Sequence, residues 1–318
     1  MWFFRHKEFN GYYYIYGLDR KNGHHSKHVL PYRSFTRIRD SRNLKPAGVN
    51  FNYAALLQDK FVFGQFMSSL KIPTPRNIAL LDKNTITWLD TMQVSPIASV
   101  LTCKHPLDGF CKKLSGMQGQ GAFRLSVRDH KLFIAEQESS LSALSSQIDG
   151  TYLLQERVMQ HPDLDKLFPR ALNTMRIVTF NNNGQTEVFN AAMKIGTGQS
   201  NVDNWRYGGI AVGINLDSGT LRRDGFYKPN YGRLVEVHPD TQVRLEGFKV
   251  PYFKESLELV CKVHQYIYGI HSIGWDVAVG PDGPVIIEGN EDWDGSFAMA
   301  AEPNFKKRFL DMFVKVTS

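Results

Sequence analysis

Cysteine is scarce in this chain: Cys103, Cys111 and Cys261 are the three in 318 residues, and no two share a metal-ligand spacing. That excludes a disulfide framework and a cysteine-based metal site, and it makes a cytoplasmic compartment the expectation. Long apolar runs are missing as well. The longest fall far short of the roughly 20 residues that cross a bilayer, so no transmembrane helix is expected. The opening stretch, Met1 to Glu8, has no apolar core ending in small residues, so no secretory leader is expected either. There is no internal repeat and no low-complexity tract. What remains is ordinary for a folded protein, with 42% hydrophobic and 22% charged residues, and the length suffices for two or three subdomains. The net charge of +7 comes from scattered basic residues, apart from a loose cluster from Arg20 to Lys45 without regular spacing. Nucleic acid is therefore not an expected partner; an anionic lipid or a sugar phosphate suits that cluster equally, and the positive field suits an anionic ligand.

The most informative stretch lies near the C-terminus, from Gly274 to Asn290. It reads as two strands joined by a Gly/Pro turn, with Asp276 on the first and Glu288 and Asn290 on the second. Side chains alternate along a strand, so Glu288 and Asn290 share a face. Asp276 joins them only if it lies opposite Glu288. That register calls for an odd loop, Gly280 to Pro284 flanked by Val279 and Val285, because a two-residue loop turns Asp276 to the other face. The odd register puts Trp275, Val277, Val279, Val285 and Ile287 on one apolar face, and Asp276, Ala278, Ile286, Glu288 and Asn290 on the other. Two carboxylates and an amide oxygen then form a hard-oxygen set suited to Mg²⁺, which usually shares such ligands with a nucleotide phosphate.

Upstream, the apolar period predicts a helix over 50–70, ended by Pro73 and Pro75, and a strand over 78–81. A strand ends near Lys112, a glycine-rich loop spans 113–121, and a second strand covers 122–127. Glycines in such a loop permit positive φ and let backbone N–H groups approach phosphates. No Gly-Lys-Ser/Thr follows the loop, and no helix opens on it, so it is neither a Walker loop nor a dinucleotide fingerprint. Further strands are predicted over 152–158, 173–180, 187–195, 210–215 and 220–223, with helices over 141–148, 251–270 and 305–316. His238, His264 and His271 read as satisfied or surface histidines rather than ligands. Trp205, Arg206 and Tyr207 sit in a Gly-rich loop, where packing and substrate contact are equally compatible with the pattern. Runs of strands with flanking helices indicate an α+β class.

These residues together resemble a family. Lys112 with Gly116, Gly119 and Gly121, the run Gln155-Glu156-Arg157-Val158, the pair Asn173 and Arg176, Lys194 with Gly196 and Gly198, then Asp203-Asn204 and Gly208-Gly209, and finally Asp276 with Glu288 and Asn290 look like an ATP-grasp enzyme. The resemblance is nearest to the sugar-transfer-associated ATP-grasp proteins, which are related to α-L-glutamate ligases, and it covers roughly residues 55–300. It implies two α+β subdomains gripping ATP, beyond a smaller N-terminal domain: residues 1–95 N-terminal, 96–158 with the flap, and 159–318 with the metal hairpin. It also implies roles. Lys112 would contact the α/β-phosphates and the flap from Gly116 to Gly121 would cover them. Gln155, Glu156 and Val158 would receive adenine, and Asp163 the ribose. Arg176 and Lys194 would face the γ-phosphate and the transferred group, and Asp276, Glu288 and Asn290 would bind two Mg²⁺. Lys112-Lys113 stands where the family has Lys-Pro, which leaves open which lysine acts.

ATP carries about four negative charges, so positioning and charge neutralisation are the chemistry such residues supply. The resemblance implies an ADP-forming ligase: ATP phosphorylates a small-molecule carboxylate and an amine attacks the acyl phosphate, in polysaccharide or natural-product assembly. A kinase of the same fold acting on a hydroxyl, and a non-catalytic binding module, remain open alternatives.

Overall fold

The computed structural model describes residues 2–16, 28–43, 52–103, 107–114, 121–200, 203, 205, 208–228, 234–267, 269–302 and 304–314. The chain divides into two compact units, residues 58–158 and residues 1–57 with 159–318. The first helices are α1 (Trp2–His6), α2 (Tyr32–Asn43) and α3 (Ala55–Gln58), followed by α4 (Lys60–Ser69). The helix predicted over 50–70 is thus broken between α3 and α4. Asp59 is the reason: it caps α4, its side chain accepting from the Val62 N–H, and a capping aspartate competes with helical continuity.

In the unit of residues 58–158 the strands are β1 (Asn77–Leu81), β2 (Thr85–Trp88), β3 (Gln93–Pro96), β4 (Leu107–Lys113), β5 (Phe123–Arg128), β6 (Lys131–Ile134), β7 (Gln137–Ser139) and, after α5 (Leu141–Gln147), β8 (Tyr152–Glu156). All join one antiparallel sheet in the order β3-β2-β1-β8-β4-β5-β6-β7. The boundary expected between residues 95 and 96 therefore falls inside this unit. β1 pairs with β8, and Ala79, Leu81 and Ile86 share one core with Cys111, Leu125 and Leu154. Splitting the chain there would expose that core to water. Cys111 lies opposite Leu154 and Lys113 opposite Tyr152, so these four share the core face. Lys112, Leu153, Gln155 and Asn77 share the other face.

The second unit continues with α6 (Pro162–Asp165), β9 (Thr174–Asn182), β10 (Gln185–Ile195), β11 (Ile210–Ile214), β12 (Leu221–Tyr227), β13 (Leu234–Val235), α7 (Phe253–Tyr266), β14 (Ser272–Gly280), β15 (Gly283–Asn290), α8 (Gly295–Ala301) and α9 (Phe305–Val314). Its antiparallel sheet runs β13-β12-β11-β10-β9-β14-β15. The Asn-rich turn after β9 is a two-residue hairpin in which Asn183 and Gly184 both take positive φ, as a type I′ turn requires. Helix α7 covers one face of the sheet. Helix α8 packs on the other, where Ala192, Ala211, Phe226, Phe297 and Trp205 form a cluster. Residues 1–57 thus belong to this unit: Phe35 of α2 is buried among Trp293, Phe305 and Phe309.

On the α7 side, His264 is a satisfied core histidine, as its sequence context implied. Its Nε2 lies 2.9 Å from the Ile270 carbonyl, which can only accept, so Nε2 carries the proton and Nδ1 accepts from the Thr179 hydroxyl at 2.7 Å. The Trp275 indole in turn donates to Thr179 Oγ1 at 2.8 Å. Burial pushes the His264 imidazole down to about 4. The folded ring therefore stays neutral while the unfolded one protonates near pH 6.5. Between those values the unfolded chain binds the extra proton, so His264 lowers stability as pH falls, by about 2 kcal/mol from pH 6.5 to 5. Urea unfolding at the two pH values is expected to show that loss, and His264→Asn to remove this share of it.

Candidate active site

Asp276 lies opposite Glu288, and Gly274 opposite Asn290, as the sequence predicts. The loop is not the predicted one. Gly280 pairs with Gly283, so the turn is the two-residue Pro281-Asp282. The parity is corrected by a β-bulge: the register shifts between Asp276 and Val277, where Val277 pairs with Ile286 and Ile287 is the extra residue. Val285 and Ile286 consequently exchange their predicted faces. Ile286 is fully buried beside Val277, and Val285 lies opposite Ala278.

The same face extends across four strands. Ala192 of β10 lies opposite Arg176 of β9, and Arg176 lies opposite Asp276 of β14. Lys194 is two residues beyond Ala192, so it shares their face. The result is a row of Lys194, Arg176, Asp276, Glu288 and Asn290. Arg176 grips Asp276 with two parallel bonds, Nε to Oδ1 at 2.7 Å and Nη2 to Oδ2 at 3.2 Å. Lys194 Nζ donates to Asp276 Oδ2 at 2.9 Å. Asn290 Nδ2 donates to Glu288 Oε1 at 3.3 Å, which leaves its amide oxygen as the atom a cation would take. Room for the arginine depends on Gly274: a Cβ there would lie 2.5 Å from Trp293 Cβ and 3.1 Å from Arg176 Nη1.

Charge decides the behaviour of this row. Burial raises Asp276, but Arg176 and Lys194 outweigh it and hold the carboxyl well below the usual range. Glu288 moves the opposite way, raised by burial and then by the Asp276 charge. Lys194 would be lowered by burial, yet Asp203 and Asp276 keep its charge. Asp203 is a member of the site that the pattern alone did not single out. It was legible only as part of a loop motif. Its buried carboxylate lies 4.0 Å from Lys194 Nζ and accepts from the Thr174 N–H at 2.8 Å and from the Thr174 hydroxyl.

The donor set fits a hard divalent cation. Every candidate ligand is oxygen, and two carboxylates are forced together where a cation would relieve their repulsion. Among the described residues no three His, Cys, Asp or Glu side chains converge on one point. Remaining coordination would fall to the Asn290 amide oxygen, water and phosphate, the usual company of Mg²⁺.

The other predicted residues stand on other elements. Lys112 is on the face of its sheet that also carries Gln155, away from the core. Lys113 faces the core side and ends in an ion pair with Asp149 at 2.7 Å. Gly116 and Gly119 lie outside the described residues. Gly121, at φ +72°, sits where a Cβ would come within 3.0 Å of the Tyr152 hydroxyl. The Gln155 side chain is buried and donates to Asn77 Oδ1 at 2.9 Å. Glu156 is exposed and paired with Arg76 at 3.2 Å. Val158 ends its unit. Asp163 stands in the short α6 and pairs with Lys166 at 2.6 Å. Trp205 takes the packing role: it is buried, stacks near Tyr12 and donates to the Phe226 carbonyl at 3.0 Å. Arg206 and Tyr207 lie outside the described residues. No helix among the described residues is long and apolar enough to cross a membrane.

Residues 41–313 match the family described as sugar-transfer associated ATP-grasp. No curated protein matches the sequence. Among solved structures, the chain is similar to N5-carboxyaminoimidazole ribonucleotide synthetase from Thermotoga maritima, at 15% identity and a TM-score of 0.40 over 80% of this chain and 48% of that one. It is also similar to D-alanyl-alanine synthetase A from Vibrio cholerae, at 12% identity and 0.46 over 84% and 67%. D-alanine–D-alanine ligase from Bacillus anthracis follows at 14% and 0.43, over 92% and 76%. The chain thus spans about half the length of the first of these.

Proposed function

Because this chain belongs to the sugar-transfer-associated ATP-grasp family, we propose that it is an ATP- and Mg²⁺-dependent ligase that activates a carboxylate as an acyl phosphate for attack by an amine. The observation that carries the proposal is the row of two cations, two carboxylates and an amide across β10, β9, β14 and β15. Asp276, Glu288 and Asn290 are assigned to the metal, which when bound neutralises phosphate charge and fixes its orientation. Lys194 and Arg176 are assigned to the γ-phosphate and the transferred group. Asp276 holds both cations in place, and Asp203 holds Lys194 from the other side, so little reorganisation is needed when charge develops. Lys112, on the face of its sheet opposite the core, is assigned with the glycine flap through Gly116, Gly119 and Gly121 to the α/β-phosphates. Gln155, Glu156 and Val158 are assigned to adenine and Asp163 to the ribose.

In the reaction a substrate carboxylate oxygen attacks the γ-phosphorus and ADP departs. The amine nitrogen then attacks the acyl carbon, the acyl C–O bond to phosphate breaks, and the nitrogen loses a proton. The cations Lys194 and Arg176 face the oxygens on which charge accumulates in both steps. Screening ADP release over paired carboxylates and amines identifies the substrates. Hydroxylamine then tests the intermediate: a hydroxamate, formed with MgATP and the carboxylate alone, is the expected product. ADP release on a hydroxyl compound without hydroxamate would replace this proposal with a kinase.

A further inference from the structure

Helix α2 carries Phe35, Arg39 and Asn43 four residues apart, so they form one stripe along the helix. All three are buried. Each grips a successive part of the segment that leaves the metal hairpin. Asn43 Nδ2 donates to the Glu291 carbonyl at 2.6 Å and to the Ser272 carbonyl at 2.7 Å, while its Oδ1 accepts from the Ser272 N–H at 3.0 Å. Ser272 opens β14 and Glu291 follows the last residue of β15. One amide side chain therefore bridges the open end of the hairpin, where the backbone ladder stops. Arg39 Nη1 donates to the carbonyls of Asp292 and Trp293 at 2.5 Å each. Phe35 packs on Trp293, and a Cβ on Gly295 would come 2.5 Å from the Phe35 ring. The Trp293 indole returns to Ser272 Oγ at 3.0 Å and closes the arrangement.

We propose that Asn43 and Arg39 are positioning residues for the divalent cation, and that α2 is a splint for the hairpin. This rests on the assignment of Asp276, Glu288 and Asn290 to the metal. The reasoning is local. Asn43 binds the residue next to Asn290 and ties it to Ser272, the first residue of the opposing strand. Without its amide the buried Ser272 N–H and the Ser272 and Glu291 carbonyls lose partners, and the hairpin opens from the end that carries the ligands. Supports behind ligands change metal affinity by about tenfold or more when removed.

The test is Mn²⁺ binding to the full chain with ADP, followed by titration calorimetry, with near-UV circular dichroism as a check on the fold. Asn43→Ala and Arg39→Met are each expected to weaken Mn²⁺ binding about tenfold. Leu245→Ala, which loosens the packing against Gly225 of β12 in the same unit, outside the cluster that holds Phe35 and Trp293, is expected to lower the melting temperature and leave Mn²⁺ affinity within about twofold. Wild-type Mn²⁺ affinity in a folded Asn43→Ala protein would overturn the splint. Equal weakening by Leu245→Ala would overturn it too, by reducing its effect to general stability. Absence of Mn²⁺ binding in the wild type would instead remove the metal assignment, and the splint with it. If Asn43→Ala does not fold, Asn43→Asp keeps the acceptor for the Ser272 N–H, loses the two donated bonds, and carries the same expectation.

Discussion

Glu288→Gln is expected to lower ATP turnover by about a hundred- to a thousandfold while leaving the melting temperature unchanged or slightly raised. The two effects separate because the substitution is isosteric but removes a charge. A glutamine oxygen still accepts from Asn290, as Glu288 Oε1 does. Its amide nitrogen can donate to Asp276, which lies opposite it in the hairpin. The folded chain thereby loses a buried like-charge repulsion, which is why stability does not suffer. A divalent cation, in contrast, loses one of two carboxylates. Turnover is read by ADP release over a range of Mg²⁺ and stability by thermal melting. Near-normal turnover in this variant would end the assignment of the cation to this hairpin.

Arg176→Met should cost stability as well as activity. Asp276 is almost fully buried and its two oxygens are held by Arg176 and Lys194. Removing the arginine leaves that carboxylate with one cation and with Glu288 still beside it, at an expected loss of about 3 kcal/mol in urea unfolding at pH 7. Pairing the change with Asp276→Asn is expected to return much of that stability, since the charge that lacked a partner is gone. Turnover should remain lost in both the single and the double variant. Recovery of turnover with stability would mean that Arg176 and Asp276 serve only each other, and that their ion pair has no part in phosphoryl transfer.

The acids of the hairpin were legible because strand alternation is local: Glu288 and Asn290 must share a face, and only one partner register adds Asp276. The bulge that achieves this was not legible, since an odd loop and an even loop with one extra residue produce the same pairing. The resemblance assigned Lys194 and Arg176 to the γ-phosphate and the transferred group, but no local pattern showed that both would meet the carboxylate of Asp276. Asp203 was legible only as part of a loop motif, without a role, because its role depends on meeting Lys194 and Thr174 in space. The break at Asp59 hid behind an apolar period that continues through it. The pairing of β1 with β8, far along the chain, is likewise announced by nothing local. The first residues lacked any recognisable motif, yet α2 contributes through backbone carbonyls, which leave no residue-type signature at the positions they serve.

The extra residue at Ile287 divides the hairpin into two stretches paired in different registers. Towards the tip, pairing follows the count set by Pro281-Asp282; towards the open end, it follows a count shifted by one. Any exchange of the tip for another two-residue turn leaves the chelating end in phase. Straightening the bulge with Ile287 retained would instead place Ile287 opposite Asp276 and turn Glu288 and Asn290 onto the Trp275 side, beneath α7. The bulge, rather than the turn, keeps the acids in step.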